Sequence, residues 1–239
     1  MLLIAHGYGE HSGRYGNVVD EFVPRGYALY ALDHRGHGKS SGERVHVDHF
    51  DDYVDDLRTF YDYVRRETDD LPIYMLGHSM GSFIAISYAS RYQDELTGLI
   101  LSGGGMGRKR SNASASSKTM SDLAATVSKD PAVVQAYHDD PLVYHGSPPE
   151  SRRAAMAVLR EDMPGLVAAI KLPVLIIAGG ASPLGDGEGS KELYETVSSQ
   201  DKTLKIYEGL MHEIHNEPER ARVFADMLAW LENHSPSSP

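Results

Sequence analysis

Short apolar runs of strand length alternate along the chain with segments in which apolar residues recur at helical spacing. The apolar runs predict six strands, at 2–5, 27–32, 72–76, 97–102, 173–178 and 203–207. The helical spacing predicts helices at 53–64, 80–92 and 218–233. Because strands and helices alternate, we predict an α/β fold with a mostly parallel sheet flanked by helices.

The alternation stops between residues 105 and 170. This block opens with a polar, Ser-rich stretch at 108–118 and continues with helix-like pieces at 132–138 and 150–160. We therefore predict a core made of 1–104 and 171–234, interrupted by an insertion at 105–170. The tail at 235–239, rich in Ser and Pro, is expected to be disordered.

Composition narrows the possible partners. The 239 residues fit one domain, and 23 Lys and Arg against 34 Asp and Glu give a net charge of −11. Such a charge repels nucleic acid and anionic membrane surfaces, so neither is an expected partner. The chain has no Cys and no apolar run of the ~18–20 residues that would span a bilayer. We expect a cytoplasmic protein without stable membrane insertion.

The clearest chemical motif is G-x-S-x-G at 77–81, with Ser79 at its centre. It follows a predicted strand directly and precedes a predicted helix, which is the context that a nucleophile elbow requires. In that turn a strained Ser presents Oγ clear of the sheet, and the helix N-terminus faces developing negative charge. Ser79 is the predicted nucleophile; the alternative is a Gly-rich turn with a capping Ser.

Candidate oxyanion donors and a candidate base lie in the turns that follow predicted strands. The amide of Tyr8, after the first strand, and that of Met80, after the nucleophile, are the candidate oxyanion donors. His212 lies between the last predicted strand and the final helix, where the base of a Ser, acid, His chain order is found. His215 is the alternative base.

The histidine spacings and the glycine patterns of the sequence do not match the motifs of metal or cofactor sites. Three pairs of histidines share an H-x-x-H spacing, but none matches the H-E-x-x-H of a zinc hydrolase. There is neither a phosphate-binding P-loop pattern nor a G-x-G-x-x-G after a strand. No cofactor and no metal are predicted.

Four motifs together resemble the monoacylglycerol lipase family of α/β hydrolases, in particular its bacterial members. They are HGYGEHSGRY at 6–15, DHRGHGKS at 33–40, GHSMG at 77–81 and KTLKIYEG at 202–209. The resemblance implies an α/β-hydrolase fold with a lid over an acyl pocket and hydrolysis of small-molecule carboxylic esters such as monoacylglycerols. It also implies Ser79 as nucleophile, His212 as base and the amides of Tyr8 and Met80 as oxyanion donors, with the 33–40 loop structural.

The sequence departs from that family at the triad acid, because Ser182 stands where the family has Asp. Three interpretations are open: a weak enzyme, an acid relocated in the chain, or an altered residue. Asp186 is the nearest substitute and Glu188 the next, although we expect Asp186 to cap the helix near 188–198. Losing the acid's charge costs about 10⁴ in kcat in well-studied serine hydrolases, so weak activity is expected if no other carboxylate serves.

Two further departures concern the edge and the lid. The edge strands that precede the first strand in the family are missing, which would leave 27–32 at an open sheet edge and favour self-association. The insertion begins polar instead of apolar, so docking to a lipid surface is doubtful, although Met106, Met120, Leu123, Val127 and Val133-Val134 could line an acyl pocket. The alternative functions are a lysophospholipase or general esterase, and a catalytically impaired pseudo-hydrolase that binds acyl ligands.

Overall fold

A computed structural model describes residues 1–68, 71–106 and 124–235. Within them six strands form one sheet: β1 (Leu2–Ala5), β2 (Leu29–Ala31), β3 (Tyr74–His78), β4 (Gly98–Ser102), β5 (Val174–Gly179) and β6 (Lys202–Tyr207). Their order is β2-β1-β3-β4-β5-β6, and every neighbouring pair is parallel. The predicted α/β class is confirmed, and each predicted strand is present.

The boundary of β3 differs most from its prediction. The strand begins two residues later than expected and extends through Gly77 and His78, which pair in register with Leu101 and Ser102 of β4. The elbow motif therefore begins inside the sheet, and the turn after it is shorter than the sequence predicts.

Seven α-helices lie in the described part of the chain: α1 (Gly16–Phe22), α2 (Asp51–Glu67), α3 (Met80–Tyr92), α4 (Pro131–Asp139), α5 (Glu150–Ala168), α6 (Asp186–Thr196) and α7 (Arg220–Asn233). The bounds of α3 match the prediction. Helix α1 was not predicted, because its 7 residues are too few to show a helical period. It buries Val18 and Phe22 on one side.

The helices cover both faces of the sheet. Leu3 and Met75 contribute to one core, together with apolar residues of α2, α3, α5 and α6. Leu2 and Ile4 point to the opposite face, where α1 and α7 pack. Because side chains alternate along a strand, a parallel sheet buried on both faces needs continuous apolar runs, and this is what made the strands recognisable in the sequence.

Helices α4 and α5 come from the predicted insertion, and α5 runs eight residues beyond its predicted end (168 against 160). The polar 108–118 stretch, Met120, Leu123 and residues 236–239 of the tail lie outside the described residues. Of the other predicted pocket residues, Met106 belongs to the core beneath α3 and α5, and Val127 packs in a small cluster against Val133, Val134 and Tyr137.

The strand order reverses between β1 and β3. From β1 the chain moves outward to β2, then crosses back to place β3 on the other side of β1. Ligands of open α/β sheets bind outside the carboxyl ends of the strands at such a point. The loop after β1 and the turn after β3 meet there.

No helix in the described ranges is both long and apolar enough to cross a bilayer.

Candidate active site

Ser79 occupies the turn between β3 and α3 with φ 53° and ψ −115°. A non-Gly residue at such a φ costs about 1–3 kcal/mol, which the surrounding structure must offset. The space around the turn is correspondingly tight: a Cβ on Gly81 would overlap the carbonyl of Ala5, and one on Gly77 would overlap the backbone of Gly81. The glycines of the motif are therefore required sterically, which is the geometry of a nucleophile elbow.

The loop after β1 lies against Ser79. A Cβ on Gly7 would be 3.2 Å from Cβ of Ser79, so the backbone of 7–8 passes directly beside the serine. Among the described residues, the amides of Tyr8 and Met80 have no hydrogen-bond acceptor. Met80 is also the first residue of α3, where the helix dipole favours negative charge.

His212 lies between β6 and α7 and is buried. Its Nδ1 is 2.7 Å from Oδ2 of Asp186, a hydrogen bond in which the ring N–H donates to the carboxylate. Its backbone amide is fixed by the carbonyl of Thr126. Burial lowers the pKa of His212, but the charge and hydrogen bond of Asp186, with Glu213 and Glu10 beyond, raise it above its usual value.

The expectation that Asp186 caps a helix is wrong. Asp186 is the first residue of α6, its N-cap is Gly185, and no side chain caps this helix end. The carboxylate instead turns back to the imidazole of His212. The helix N-terminus still favours the carboxylate's charge through the dipole.

Ser182 lies in the turn that leads from β5 into α6. Its Oγ accepts a hydrogen bond from the amide of Leu184 at 3.3 Å, and its carbonyl accepts one from the amide of Gly185. The residue thus shapes the turn that presents Asp186. Glu188, two residues further along α6 than Asp186, pairs with Lys191 in solvent.

His215, the alternative base, is buried beside Tyr15 and His78. Its ring stacks on Tyr15 with centroids 4.8 Å apart and meets His78 edge-on at 5.0 Å. Burial lowers the pKa of His215 to about 4, so the ring is neutral near pH 7. Of the two histidines, His212 is the one that shares a cavity with Ser79.

That cavity has a volume of about 230 Å³. Its lining combines apolar side chains with polar and charged groups. The lining residues are Gly7, Tyr8, Glu10, His78, Ser79, Thr126, Val127, Tyr137, Pro148, Arg152, Leu184, His212 and Glu213.

The sequence did not predict a buried charged network that lies beside the loop after β1. Oε1 of Glu10 accepts hydrogen bonds from the amide of Gly7 at 2.5 Å and from the hydroxyl of Tyr15 at 3.0 Å. Arg14 joins Glu10 to Glu213, at 3.3 Å and 2.5 Å. The HGYGEHSGRY motif contained the signal, since Glu10 and Arg14 are four residues apart.

The two glutamates respond oppositely to this environment. Burial raises the pKa of Glu10 to about 7, and the charge of Glu213 adds to the effect. Burial also acts to raise the pKa of Glu213, but the Arg14 guanidinium, together with His215, His212 and the hydrogen bond from Asn216, holds that pKa below its usual value. Near neutral pH the network therefore holds a proton that Glu10 can lose.

The 33–40 loop acts as scaffold. Asp33 accepts hydrogen bonds from the amides of Ser12 and Lys39, both at 2.8 Å, which ties this loop to the segment after β1. Burial lowers the pKa of His34 to about 3 and that of His37 to about 4. Within the described ranges, no group of three or more His, Cys, Asp or Glu side chains is arranged to hold a metal ion.

Comparison with known proteins places this geometry in a family. The model of the serine aminopeptidase S33 family matches residues 1–219. A monoacylglycerol lipase of Mycolicibacterium smegmatis is 38% identical, over 98% of this chain and 88% of its own. A monoglyceride lipase of Mus musculus is 32% identical, over 97% and 82%. The crystal structure of a Paleococcus ferrophilus monoacylglycerol lipase superposes with a TM-score of 0.81 at 29% identity, covering 98% of this chain and 94% of that one.

An elbow serine, a histidine after the last strand and a parallel sheet with this strand order define a serine hydrolase of the α/β-hydrolase class. The chain belongs to the serine aminopeptidase S33 family, and within it to the ester hydrolases related to monoacylglycerol lipases.

Proposed function

We propose that this enzyme hydrolyses monoacylglycerols and related small carboxylic esters through an acyl-enzyme on Ser79. The observation that carries the proposal is the hydrogen bond of 2.7 Å between His212 and Asp186, in the same site as a strained elbow serine. In this pair, His212 is the base that a serine nucleophile needs, and Asp186 fixes the tautomer of that base.

In the first half-reaction, Oγ of Ser79 attacks the ester carbonyl while Nε2 of His212 takes its proton. The Asp186 carboxylate stabilises the resulting imidazolium without accepting its proton. The negative charge that develops on the carbonyl oxygen is held by the amides of Tyr8 and Met80. His212 then protonates the departing alcohol, and the Ser79 acyl ester remains.

In the second half-reaction water replaces the alcohol. His212 removes a proton from the water as it attacks the acyl carbon, and returns the proton to Ser79 as the acid is released. Both halves use one base and one oxyanion hole, and no cofactor enters the sequence of steps.

The lining of the cavity supports a polyol ester. Glu10, Glu213 and Tyr137 are among the lining residues, and carboxyl oxygens can accept hydrogen bonds from the hydroxyl groups of a glycerol moiety. Val127 and Leu184 provide apolar contact for an acyl chain. Of the three interpretations of Ser182, we propose that the acid is relocated and that Asp186 takes its role. The absence of the family's Asp then does not require weak turnover.

Labelling with a fluorophosphonate tests this proposal directly. Rapid, stoichiometric labelling that is abolished in Ser79→Ala supports an activated serine. A folded protein that reacts no faster than its Ser79→Ala variant would instead be the acyl-binding pseudo-hydrolase. A series of glycerol monoesters of increasing chain length, with a lysophospholipid in parallel, separates a monoacylglycerol lipase from a lysophospholipase or general esterase.

A further inference from the structure

Arg152 projects from the first turn of α5 into the cavity that contains Ser79. Its guanidinium carbon lies 3.7 Å from the centroid of the Tyr8 ring. Tyr8 is also the residue whose amide is the proposed oxyanion donor. Arg152 therefore contacts a residue that, in the proposed mechanism, binds the carbonyl oxygen of the ester.

This cation has no anionic partner among the described residues. No carboxylate of residues 1–68, 71–106 and 124–235 lies within 4.0 Å of it, and its Nε is shielded from solvent without a hydrogen-bond acceptor in the same ranges. Burial lowers the pKa of Arg152, but a guanidinium stays charged in proteins. A partly buried cation without a counter-charge is costly unless an anion or a set of acceptors meets it.

The carboxylates in the same cavity do not fill this role. Glu10 and Glu213 are both engaged by Arg14, whereas Arg152 lies over the ring of Tyr8. The hydroxyl of Tyr8, which lines the same cavity, is likewise without a partner in the described ranges. The cavity wall at Arg152 thus combines a positive charge with an unpaired hydroxyl, and this combination suits an oxyanion.

Long-range attraction does not explain such a site. The chain carries a net charge of −11, which repels anions at a distance. Recognition of an anion by this enzyme must therefore be local, through Arg152 itself.

We propose that Arg152 determines specificity for esters that carry a second, anionic group, a carboxylate or phosphate, close to the scissile carbonyl. The inference rests on the ester hydrolase function proposed above and deepens it. The anion can be part of the acyl chain, as in a monoester of a dicarboxylic acid, or part of the alcohol, as in an acylated glycerol phosphate.

Matched substrate pairs test the proposal. On the acyl side, p-nitrophenyl valerate is compared with the p-nitrophenyl monoester of glutaric acid, in which a carboxylate replaces the terminal methyl. On the alcohol side, monobutyrin is compared with butyryl glycerol phosphate. The readout is the ratio of kcat/KM for the anionic ester to that for the neutral ester in each pair.

Arg152→Met removes the charge but keeps an unbranched apolar side chain, and Arg152→Lys keeps the charge but loses the bidentate fork. Arg160→Met is the matched control, because Arg160 lies two turns further along α5, also has an unpartnered Nε and is absent from the cavity wall. Thermal melting shows that each variant is folded.

We expect Arg152→Met to lower the ratio by about tenfold to a hundredfold in at least one pair, as for the loss of a hydrogen bond to a charged group. Arg152→Lys should lower it less, and Arg160→Met should leave it within about twofold of the wild-type ratio, because an exposed or distant charge acts weakly. The pair that responds identifies whether the acyl or the alcohol part carries the anion.

Equal loss on both members of each pair, or no loss at all, would overturn the proposal, since Arg152 would then only pack on Tyr8. That result differs from failure of the proposed function. In the latter case the wild-type enzyme would hydrolyse neither neutral ester and Ser79 would resist the fluorophosphonate.

Discussion

At the scale of single residues, the proposal of Asp186 as the triad acid rests on where its carboxylate lies. It stands four positions after Ser182 in the chain, yet its Oδ2 lies 2.7 Å from Nδ1 of His212. The turn from Ser182 to Gly185, with Gly185 at φ 74°, directs the first residue of α6 back toward the imidazole. A positive φ of this kind suits Gly.

Asp186→Asn should lower kcat for a p-nitrophenyl ester by about 10⁴-fold, because the amide can neither fix the tautomer correctly nor stabilise the imidazolium. Ser182→Asp is the informative companion. It should change kcat only severalfold, since Nδ1 of His212 has one proton and already donates it to Asp186. An Asp186→Asn enzyme with unchanged kcat, or a large gain in Ser182→Asp, would place the acid elsewhere.

The pH profile of kcat/KM should report the same interaction. His212 acts as a base only when neutral, so activity rises with pH through its pKa, which Asp186 raises against the opposing effect of burial. In Asp186→Asn the lowering effect of burial dominates, and the acid limb should move to lower pH. Ser182→Ala serves as the control and should leave the limb in place. An unmoved limb in Asp186→Asn contradicts the assignment.

Glu10 should make stability depend on pH in a defined window. Its folded pKa of about 7 lies above the reference value of 4.5, so its contribution to stability is full below pH 4.5 and is lost as pH rises through 7. Glu10→Gln keeps an acceptor for the Gly7 amide but does not ionise. The variant should therefore gain stability relative to wild type between pH 5 and pH 8, by the order of 1–3 kcal/mol.

Denaturant unfolding of the wild type and of Glu10→Gln, at about pH 5 and about pH 8, measures the difference in their free energy of unfolding. Glu213, Arg14, Tyr15 and Tyr137 also face Glu10 or its network. Of these, Glu213 has a lowered pKa, so its contribution is lost only below pH 4.5, outside the window. A difference that does not grow with pH would show that Glu10 is already ionised at pH 5.

At the scale of elements, the contact between α3 and β1 sets the position of Ser79. Gly81 lies in the first turn of α3, and a Cβ there would come within 3.0 Å of the Ala5 carbonyl. The helix can reach the end of β1 only because this side chain is absent. That approach brings the Ser79 turn beside the 7–8 backbone.

Gly81→Ala should destabilise the protein by about 3 kcal/mol or more, because backbone must move to relieve the overlap. Gly165→Ala is the matched control in α5, where a Cβ would meet nothing within 4 Å. It should stabilise by about 0.5–1 kcal/mol through helix propensity. Thermal or urea unfolding measures both, and the same sign for the two variants would contradict this view of the elbow.

At the scale of the whole molecule, the sheet has an edge at β2, as the sequence predicts for 27–32. The strand is short, from Leu29 to Ala31, and its side chains are partly buried. The net charge of −11 repels a second copy, whereas an open strand edge favours one.

We expect self-association to increase with salt, since a Debye length near 10 Å at 0.1 M and shorter at higher salt weakens the repulsion. Sedimentation velocity in low and high salt measures this. A monodisperse monomer under both conditions would argue that a three-residue edge is too short to pair.

The sequence alone determined most of the elements and their class, and it predicted the nucleophile. Apolar runs and helical periods are local properties, so they identified all six strands and most helices, and the strand, turn and helix around Ser79 required the elbow. The chain order also favoured His212 over His215 as the predicted base. The strand and helix predictions succeeded because each depends on residues close together in the chain.

The tertiary structure decided which charges meet. The pairing of Asp186 with His212, the sharing of Arg14 between Glu10 and Glu213, and the position of Arg152 over Tyr8 each join segments that are far apart in sequence or depend on the direction of one turn. Electrostatic partners are set by distances of a few ångströms, and only the packing of α5, α6 and the loops around the sheet fixes those distances.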